Sequence, residues 1–135
     1  MKITIDTNVV LDVLGRREHF FDESNAVFQK IISDGISAAV TANAITDIYF
    51  LIRKYLSDRV SREAILGLME LVEVINVTKE DCTSALHSPM KDFEDALLDC
   101  CSSRWKSDCI ITRNKKDFVN ATCDIYSPSE FLAKY

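Results

Sequence analysis

The chain has 135 residues, which suits a single domain with a substantial core, and we expect one domain over residues 1–135. Hydrophobic residues make up 47% of the sequence and charged residues 27%, a balance typical of globular proteins. No apolar run approaches the roughly 18 residues that a membrane span needs. The net charge of −5 argues against non-specific nucleic-acid binding through a basic surface.

The cysteines and the start of the chain indicate where the protein works. Its five cysteines form no Cys-x-x-Cys pair and leave one over in any pairing: Cys82, Cys100, Cys101, Cys109 and Cys123. This usage predicts reduced thiols with structural roles rather than a metal or redox site. The first residues lead directly into strand-like sequence, so we expect no secretory signal and a cytoplasmic protein.

The first half of the chain alternates strand-like and helix-like segments. Residues 2–6 predict a strand, and residues 8–14 predict a helix capped by Thr7 or Asn8. An apolar stripe of helical period follows over residues 22–34, and Gly35 is placed to end that helix. The following segments predict a strand over 36–41, a helix over 43–56, a helix that opens at 61–63 and a strand over 72–77.

The second half continues the alternation. Thr78 and Asp81 have the spacing of a capping box, which predicts a helix to about His87. Further segments predict a helix over 92–105, a strand over 109–112, a polar turn or short helix over 114–118, a possible strand over 123–126 and a terminal helix from Ser127-Pro128. Because alternating strands and helices need crossover connections, we predict a three-layer α/β/α domain with a mainly parallel sheet of four or five strands.

Acidic residues follow the predicted strands at three separate places. Asp6 ends the first strand, Asp47 lies early in the helix after the second, and Asp95 lies in the first turn of the helix before the fourth. The carboxyl ends of parallel strands share one edge of the sheet, which is where open α/β sheets bind ligands. Asp47 or Asp95 taken alone could instead simply stabilise a helix N-terminus.

Other polar residues are also predicted near the carboxyl edge of the sheet. Asn114 lies just past the fourth strand, Asp117 follows three residues later, and Asp99 lies one helical turn after Asp95. Asp92, Glu94 and Asp99 could alternatively form a solvated helix face. Three or four acids at one edge would repel one another unless cations bridged them, and ligand sets made only of oxygen select hard metals such as Mg²⁺ or Mn²⁺.

Three segments in this order resemble the PIN-domain family of metal-dependent ribonucleases, in particular its VapC-type toxins. They are Ile-Asp-Thr-Asn-Val at 5–9, Phe-Glu-Asp-Ala-Leu at 93–97 and Ile-Ile-Thr-Arg-Asn-Lys-Lys-Asp-Phe at 110–118. The resemblance covers essentially the whole chain. It implies a PIN-like fold that hydrolyses RNA phosphodiester bonds with one or two Mg²⁺ or Mn²⁺ ions.

The resemblance also implies roles for individual residues. Asp6, Asp47 and Asp95 match the family's catalytic, metal-binding acids, although the acid at position 47 is usually Glu. The family often has a fourth Asp where this chain has Asn114. A second metal would then bind more weakly, or one of two nearby acids would supply the missing carboxylate: Asp99 or Asp117.

Polar and cationic residues around these acids complete the implied site. Three small polar residues would orient the carboxylates and bound water: Thr7, Asn8 and Thr112. Three cations after the fourth strand would contact substrate phosphates, or else form a solvated loop: Arg113, Lys115 and Lys116. A second loop, which the sequence does not place in space, could do the same through Arg16, Arg17 and His19.

The family resemblance suggests partners as well as a substrate. It implies a homodimer and, for a toxin, an antitoxin protein that covers the site. Four residues give the helix after the second strand more apolar surface than one face needs: Tyr49, Phe50, Ile52 and Tyr55. They could form part of an interface or belong to the core.

Two other functions fit parts of the pattern. A phosphoryl-transfer domain that uses an aspartate is one, but a haloacid-dehalogenase-like phosphatase would need an Asp where the chain has Asn8. A receiver domain would need paired acids early in the chain, and these are missing. The other is a catalytically weak or inactive PIN-like module that binds RNA or protein, which the neutral Asn114 suggests.

Overall fold

Five short strands form one sheet at the centre of the computed structural model, which describes residues 1–135. The strands are β1 (Lys2–Ile5), β2 (Ser37–Thr41), β3 (Glu73–Ile75), β4 (Cys109–Ile111) and β5 (Asp124–Tyr126). All pairings are parallel, and the spatial order is β3-β2-β1-β4-β5. The direction of winding reverses next to β1, so Asp6, the residue after β1, lies at a topological switch point.

Seven α-helices and one 3₁₀ turn connect the strands. The helices are α1 (Thr7–Leu14), α2 (Phe21–Asp34), α3 (Ala42–Ile52), α4 (Asp58–Leu71), α5 (Lys79–Leu86), α6 (Phe93–Trp105) and α7 (Pro128–Lys134), and the 3₁₀ turn covers Lys115–Phe118. None of these helices has the length and hydropathy to cross a membrane.

Helices cover both faces of the sheet, which explains the strongly apolar strands. Ile3 and Ile5 of β1 are buried in one cluster with side chains of α1, α2, α3 and α4. Ile110 of β4 is buried in a second cluster with side chains of α5 and α6. The predicted three-layer α/β/α architecture is therefore confirmed.

Local sequence signals account for several of the helix ends. Gly35 has a left-handed backbone (φ 64°) and ends α2 as predicted. The capping box of Thr78 and Asp81 is present at the start of α5, and Ser127 and Glu130 form a second one before Pro128 at the start of α7.

Three predicted helix boundaries were wrong, and β3 is shorter than the strand predicted over 72–77. The cap of α1 is Asp6 rather than Thr7 or Asn8, since Asp6 has an extended backbone and its carboxylate accepts a bond from the Thr7 N–H. Helix α3 ends at Ile52, four residues before the predicted end. Helix α4 begins at Asp58 because Ser57 caps it, accepting a hydrogen bond from the Val60 N–H.

All five cysteines are free thiols, as their spacing predicts. Burial is the largest cause that raises the pKa of Cys101, Cys109 and Cys123, each to about 12. These thiols therefore stay protonated near neutral pH and behave as small apolar side chains.

Candidate active site

A cleft of about 360 Å³ opens at the carboxyl edge of the sheet and is lined by four acids. Asp6 follows β1, Asp47 lies on α3, and Glu94 and Asp95 lie in the first turn of α6. The helices after β1 and β2 begin at this edge, and α6 begins there too. The fold therefore gathers acids that are far apart in the sequence.

Hydrogen bonds fix the carboxylate of Asp6. Its Oδ1 accepts from the Thr7 N–H at 2.8 Å, and its Oδ2 accepts from Thr112 Oγ1 at 2.7 Å and from Asn8 Nδ2 at 3.1 Å. Burial raises the pKa of Asp6, although these bonds oppose that rise. The residues predicted to orient the acids thus surround Asp6, with Thr7 acting through its backbone.

The start of α6 presents Asp95 to the cleft. The Asp92 carboxylate caps the helix and accepts a bond from the Asp95 N–H at 3.0 Å. Burial, followed by repulsion from the neighbouring acids, raises the pKa of Asp95 to about 7; the first of these acids is Asp6. Asp95 is therefore a carboxyl group that lacks a neutralising partner within the protein.

Glu94 is largely exposed, as a solvated helix face predicts, and it also lines the cleft. Burial, followed by the charge of Asp47, raises the pKa of Glu94. Its position was available from the sequence, because the first turn of a helix that begins at the carboxyl edge lies beside the ligand site. The fourth acid of the cleft is thus Glu94.

The structure does not bring Asp99 to the cleft. Its Oδ2 accepts from the N–H and Oγ1 of Thr122, both at 2.9 Å, and its Oδ1 accepts from the Cys123 N–H at 3.0 Å. Asp99 is 4% exposed, so its carboxylate is used to hold the segment before β5. The expectation that Asp99 joins Asp95 is therefore wrong.

Asn114 and Asp117 also lie outside the cleft lining. The Asn114 N–H donates to Thr112 Oγ1 at 3.1 Å, and its exposed side chain makes no hydrogen bond. Asp117 is exposed, but its charge contributes to the raised pKa of Asp95. Of the two acids expected to replace the missing carboxylate, only Asp117 lies near the site.

Two of the three cations predicted to contact substrate form ion pairs within the protein. Arg113 donates through Nε and Nη2 to the buried Asp12, at 2.6 and 2.9 Å, and its guanidinium lies 3.9 Å from the Phe20 ring centre. Lys115 pairs with Glu130 at 2.7 Å, whereas Lys116 is exposed without an ion pair. No role was predicted for Asp12, although an acid within the apolar run of α1 was a signal for a buried partner.

The four apolar residues considered for an interface separate into two kinds. Ile52 is buried and Tyr49 half-buried, with the Tyr49 hydroxyl hydrogen-bonded to Asp58. Phe50 is 66% exposed at the mouth of the cleft, and Tyr55 is 86% exposed beyond the end of α3. Ile52 therefore belongs to the core, whereas Phe50 and Tyr55 face solvent.

The chemistry of the cleft fits a hard cation, but its acidic side chains lie too far apart to bind one ion together. Its acids offer only oxygen atoms, and their mutual repulsion would fall on binding a positive charge. No three acidic, His or Cys side chains are grouped closely enough to act together as ligands. A cation would therefore have to draw these carboxylates together.

Sequence comparison identifies the family. The family model of the PIN domain matches residues 2–116, which include all four cleft acids. The chain belongs to the PIN-domain family. No curated protein sequence matches this PIN domain.

Solved structures share the fold of this PIN domain at low sequence identity. VapBC2 from Rickettsia felis, bound to a promoter DNA fragment, gives a TM-score of 0.75 at 10% identity, covering 94% of this chain and 98% of that one. A toxin–antitoxin complex from Klebsiella pneumoniae gives 0.70 at 20% identity, covering 93% and 97%. The sarcin-ricin loop cleaving toxin VapC20 from Mycobacterium tuberculosis gives 0.65 at 13% identity, covering 80% and 86%. The predicted fold is thus confirmed.

Proposed function

We propose that this PIN domain is a VapC-like toxin that hydrolyses RNA phosphodiester bonds with Mg²⁺ or Mn²⁺ in the cytoplasm. The observation that carries the proposal is the cleft lined by Asp6, Asp47, Glu94 and Asp95. Its support from other proteins is the family match and the shared fold with VapBC complexes and a sarcin-ricin loop cleaving toxin.

The cleft acids and the polar residues beside them would contribute to catalysis in different ways. Asp6, Asp47 and Asp95 would hold the cation, with Glu94 as a fourth carboxylate. A bound divalent cation would supply Lewis acidity, which lowers the pKa of water and offsets charge on the phosphate. The bonds from Thr112 and Asn8 hold the Asp6 carboxylate in one orientation, and the nearby Arg113 charge favours its ionised form.

A cleavage assay with matched variants tests this function. Total RNA would be incubated with wild type, Asp6→Asn, Asp95→Asn and Asp34→Asn, with Mg²⁺ or Mn²⁺ and with a chelator. Asp34 is an exposed acid at the end of α2 and serves as the control. We expect Asp6→Asn and Asp95→Asn to cleave about 100-fold more slowly or worse, and Asp34→Asn to match wild type. Equal cleavage by all four proteins would refute the proposal.

An antitoxin belongs to the same proposal, because the structural relatives include VapBC and other toxin–antitoxin complexes. The family resemblance adds a homodimer to it. Tagged Asp95→Asn protein isolated from its native host should carry a small partner protein. Light scattering on the purified protein should give twice the mass of one chain. A partner-free monomer would contradict both expectations.

A catalytically weak or inactive binding module is the second candidate. Asn114 supports it, since the family often has an acid there, and so does the lack of three gathered ligands. Asn114→Asp distinguishes the candidates. If wild type is inactive and Asn114→Asp cleaves RNA in a metal-dependent way, the natural chain is the weakened form.

A further inference from the structure

Most of the cations that follow β4 are already paired with acids of the protein. Arg113 and Lys115 are paired with Asp12 and Glu130, which leaves only Lys116 of the three predicted residues without an ion pair. RNA carries a negative charge at every phosphate, and an acidic cleft without bound cations would repel it. Positive side chains beside the cleft would therefore favour RNA binding, in addition to the charge of a bound cation.

A groove of about 790 Å³ lies between the end of α1, the loop after it and the end of α3. Leu51 lines both this groove and the acidic cleft, so the two are adjacent. Three cations and one acid line the groove, which gives it an excess of two positive charges in a protein of net charge −5: Arg16, Arg17, Lys54 and Glu18. We call it the basic groove.

The cations of the basic groove are available to a ligand. Arg16 and Lys54 form no ion pair. Arg17 lies 3.9 Å from a carboxylate oxygen of Asp12, which already accepts shorter bonds from Arg113, and the Arg17 side chain is 41% exposed. The protein therefore leaves this positive charge largely uncompensated.

The basic groove also has an exposed aromatic ring in its wall. Tyr55 is 86% exposed and its ring contacts no other aromatic ring. The loop turns tightly at Gly15, where a Cβ would lie 2.9 Å from the Leu11 carbonyl oxygen, and Arg16 adopts a left-handed backbone (φ 46°). Proteins that bind single-stranded RNA stack its bases on exposed aromatic rings and contact its phosphates with neighbouring cations.

We propose that single-stranded RNA on one side of the scissile phosphate lies in the basic groove. Its phosphates contact Arg16, Arg17 and Lys54, and one base stacks on Tyr55. The RNA chain passes Leu51, which lines both sites, on its way from the basic groove to the acidic cleft. The assignment rests on the proposed ribonuclease function, and it gives the substrate a defined path.

Binding measurements without catalysis test the groove directly. A fluorescein-labelled uridine 12-mer RNA would be titrated with the full chain carrying Asp95→Asn in the presence of a chelator, and anisotropy recorded at several salt concentrations. The test variant adds Arg16→Glu and Lys54→Glu. The control adds Lys106→Glu, an exposed residue that lies between α6 and β4 at the opposite edge of the sheet. Thermal unfolding would check that each variant is folded.

We expect the double variant to bind RNA about tenfold more weakly or worse, and the control to bind normally. The slope of log affinity against log salt should fall by about 1.4, because each lost phosphate contact on a single strand removes about 0.7. Tyr55→Ala should weaken binding by about fivefold or more with little change in that slope, since stacking involves no counterion release.

The possible results separate this inference from the proposed function. Wild-type cleavage of RNA, with binding and cleavage unchanged when Arg16 and Lys54 are reversed, would overturn the groove assignment. Loss of a co-purifying protein with unchanged RNA binding would also overturn it, since the groove would then hold a protein. RNA binding that depends on Arg16 and Lys54, with no cleavage by wild type, would support the groove and refute the nuclease.

Discussion

Two groups of carboxylates in this PIN domain have opposite surroundings. The buried Asp12, Asp81 and Asp99 each receive several hydrogen bonds from within the protein, and the Arg104 guanidinium holds the pKa of Asp81 well below its usual range. In the cleft, burial and repulsion raise the pKa of Asp95 to about 7. Burial alone therefore does not distinguish a structural acid from a ligand. The difference lies in whether the protein itself supplies the counter-charge.

The largest expected effect is the loss of stability when a buried, paired carboxylate loses its charge. Asp12→Asn would remove the charge that pairs with Arg113, inside a site where Asp12 is fully buried. Removing one partner of a buried pair is strongly destabilising, so the free energy of unfolding in urea should fall by about 3 kcal/mol. Asp34→Asn, at an exposed position, should change it by less than about 0.5 kcal/mol. A loss below about 1 kcal/mol for Asp12→Asn would show that the pair contributes little.

The second prediction concerns the ligand that the cleft acids lack. Mn²⁺ at about 100 times its dissociation constant should stabilise the folded protein by about 2.7 kcal/mol, because it binds the native state and not the unfolded chain. Thermal unfolding with and without Mn²⁺ measures this. Asp6→Asn and Asp95→Asn should lose most of the stabilisation, whereas Asp34→Asn should keep it. Stabilisation that survives in both cleft variants would place the cation elsewhere.

The sequence predicted the convergence of Asp6, Asp47 and Asp95 because a simple rule governs it. Parallel strands end at one edge, and each acid has a fixed position relative to a strand or a helix start. The same rule extends to Glu94, which was overlooked because a helix face rich in acids is usually solvated. Helix ends with strong caps, such as Gly35 and Thr78, were predictable for equally local reasons.

The wrong expectations involved partners that are distant in the sequence. The helical spacing of Asp95 and Asp99 suggested one shared face, but Asp99 bonds with Thr122, 23 residues away. Arg113 was expected at the substrate, but it pairs with Asp12, 101 residues away. No local pattern contains such pairings, since they depend on which loop packs against which helix.

The smallest predicted effect is the pH dependence of stability that the cleft carboxyl Asp95 causes. Because the folded pKa of Asp95 is about 7, well above its unfolded value of about 3.9, folding takes up a proton between these values. Metal-free wild type should therefore lose stability as the pH rises from 4 to 7. Asp95→Asn should remove that contribution and stabilise the metal-free protein at pH 7 by about 1 kcal/mol, since partial exposure screens much of the repulsion. Urea unfolding of both proteins at pH 5 and pH 7 measures the difference. Destabilisation by Asp95→Asn at pH 7 would mean that Asp95 is a structural acid like Asp12. The cleft acids would then not differ in kind from the acids that are paired within the protein.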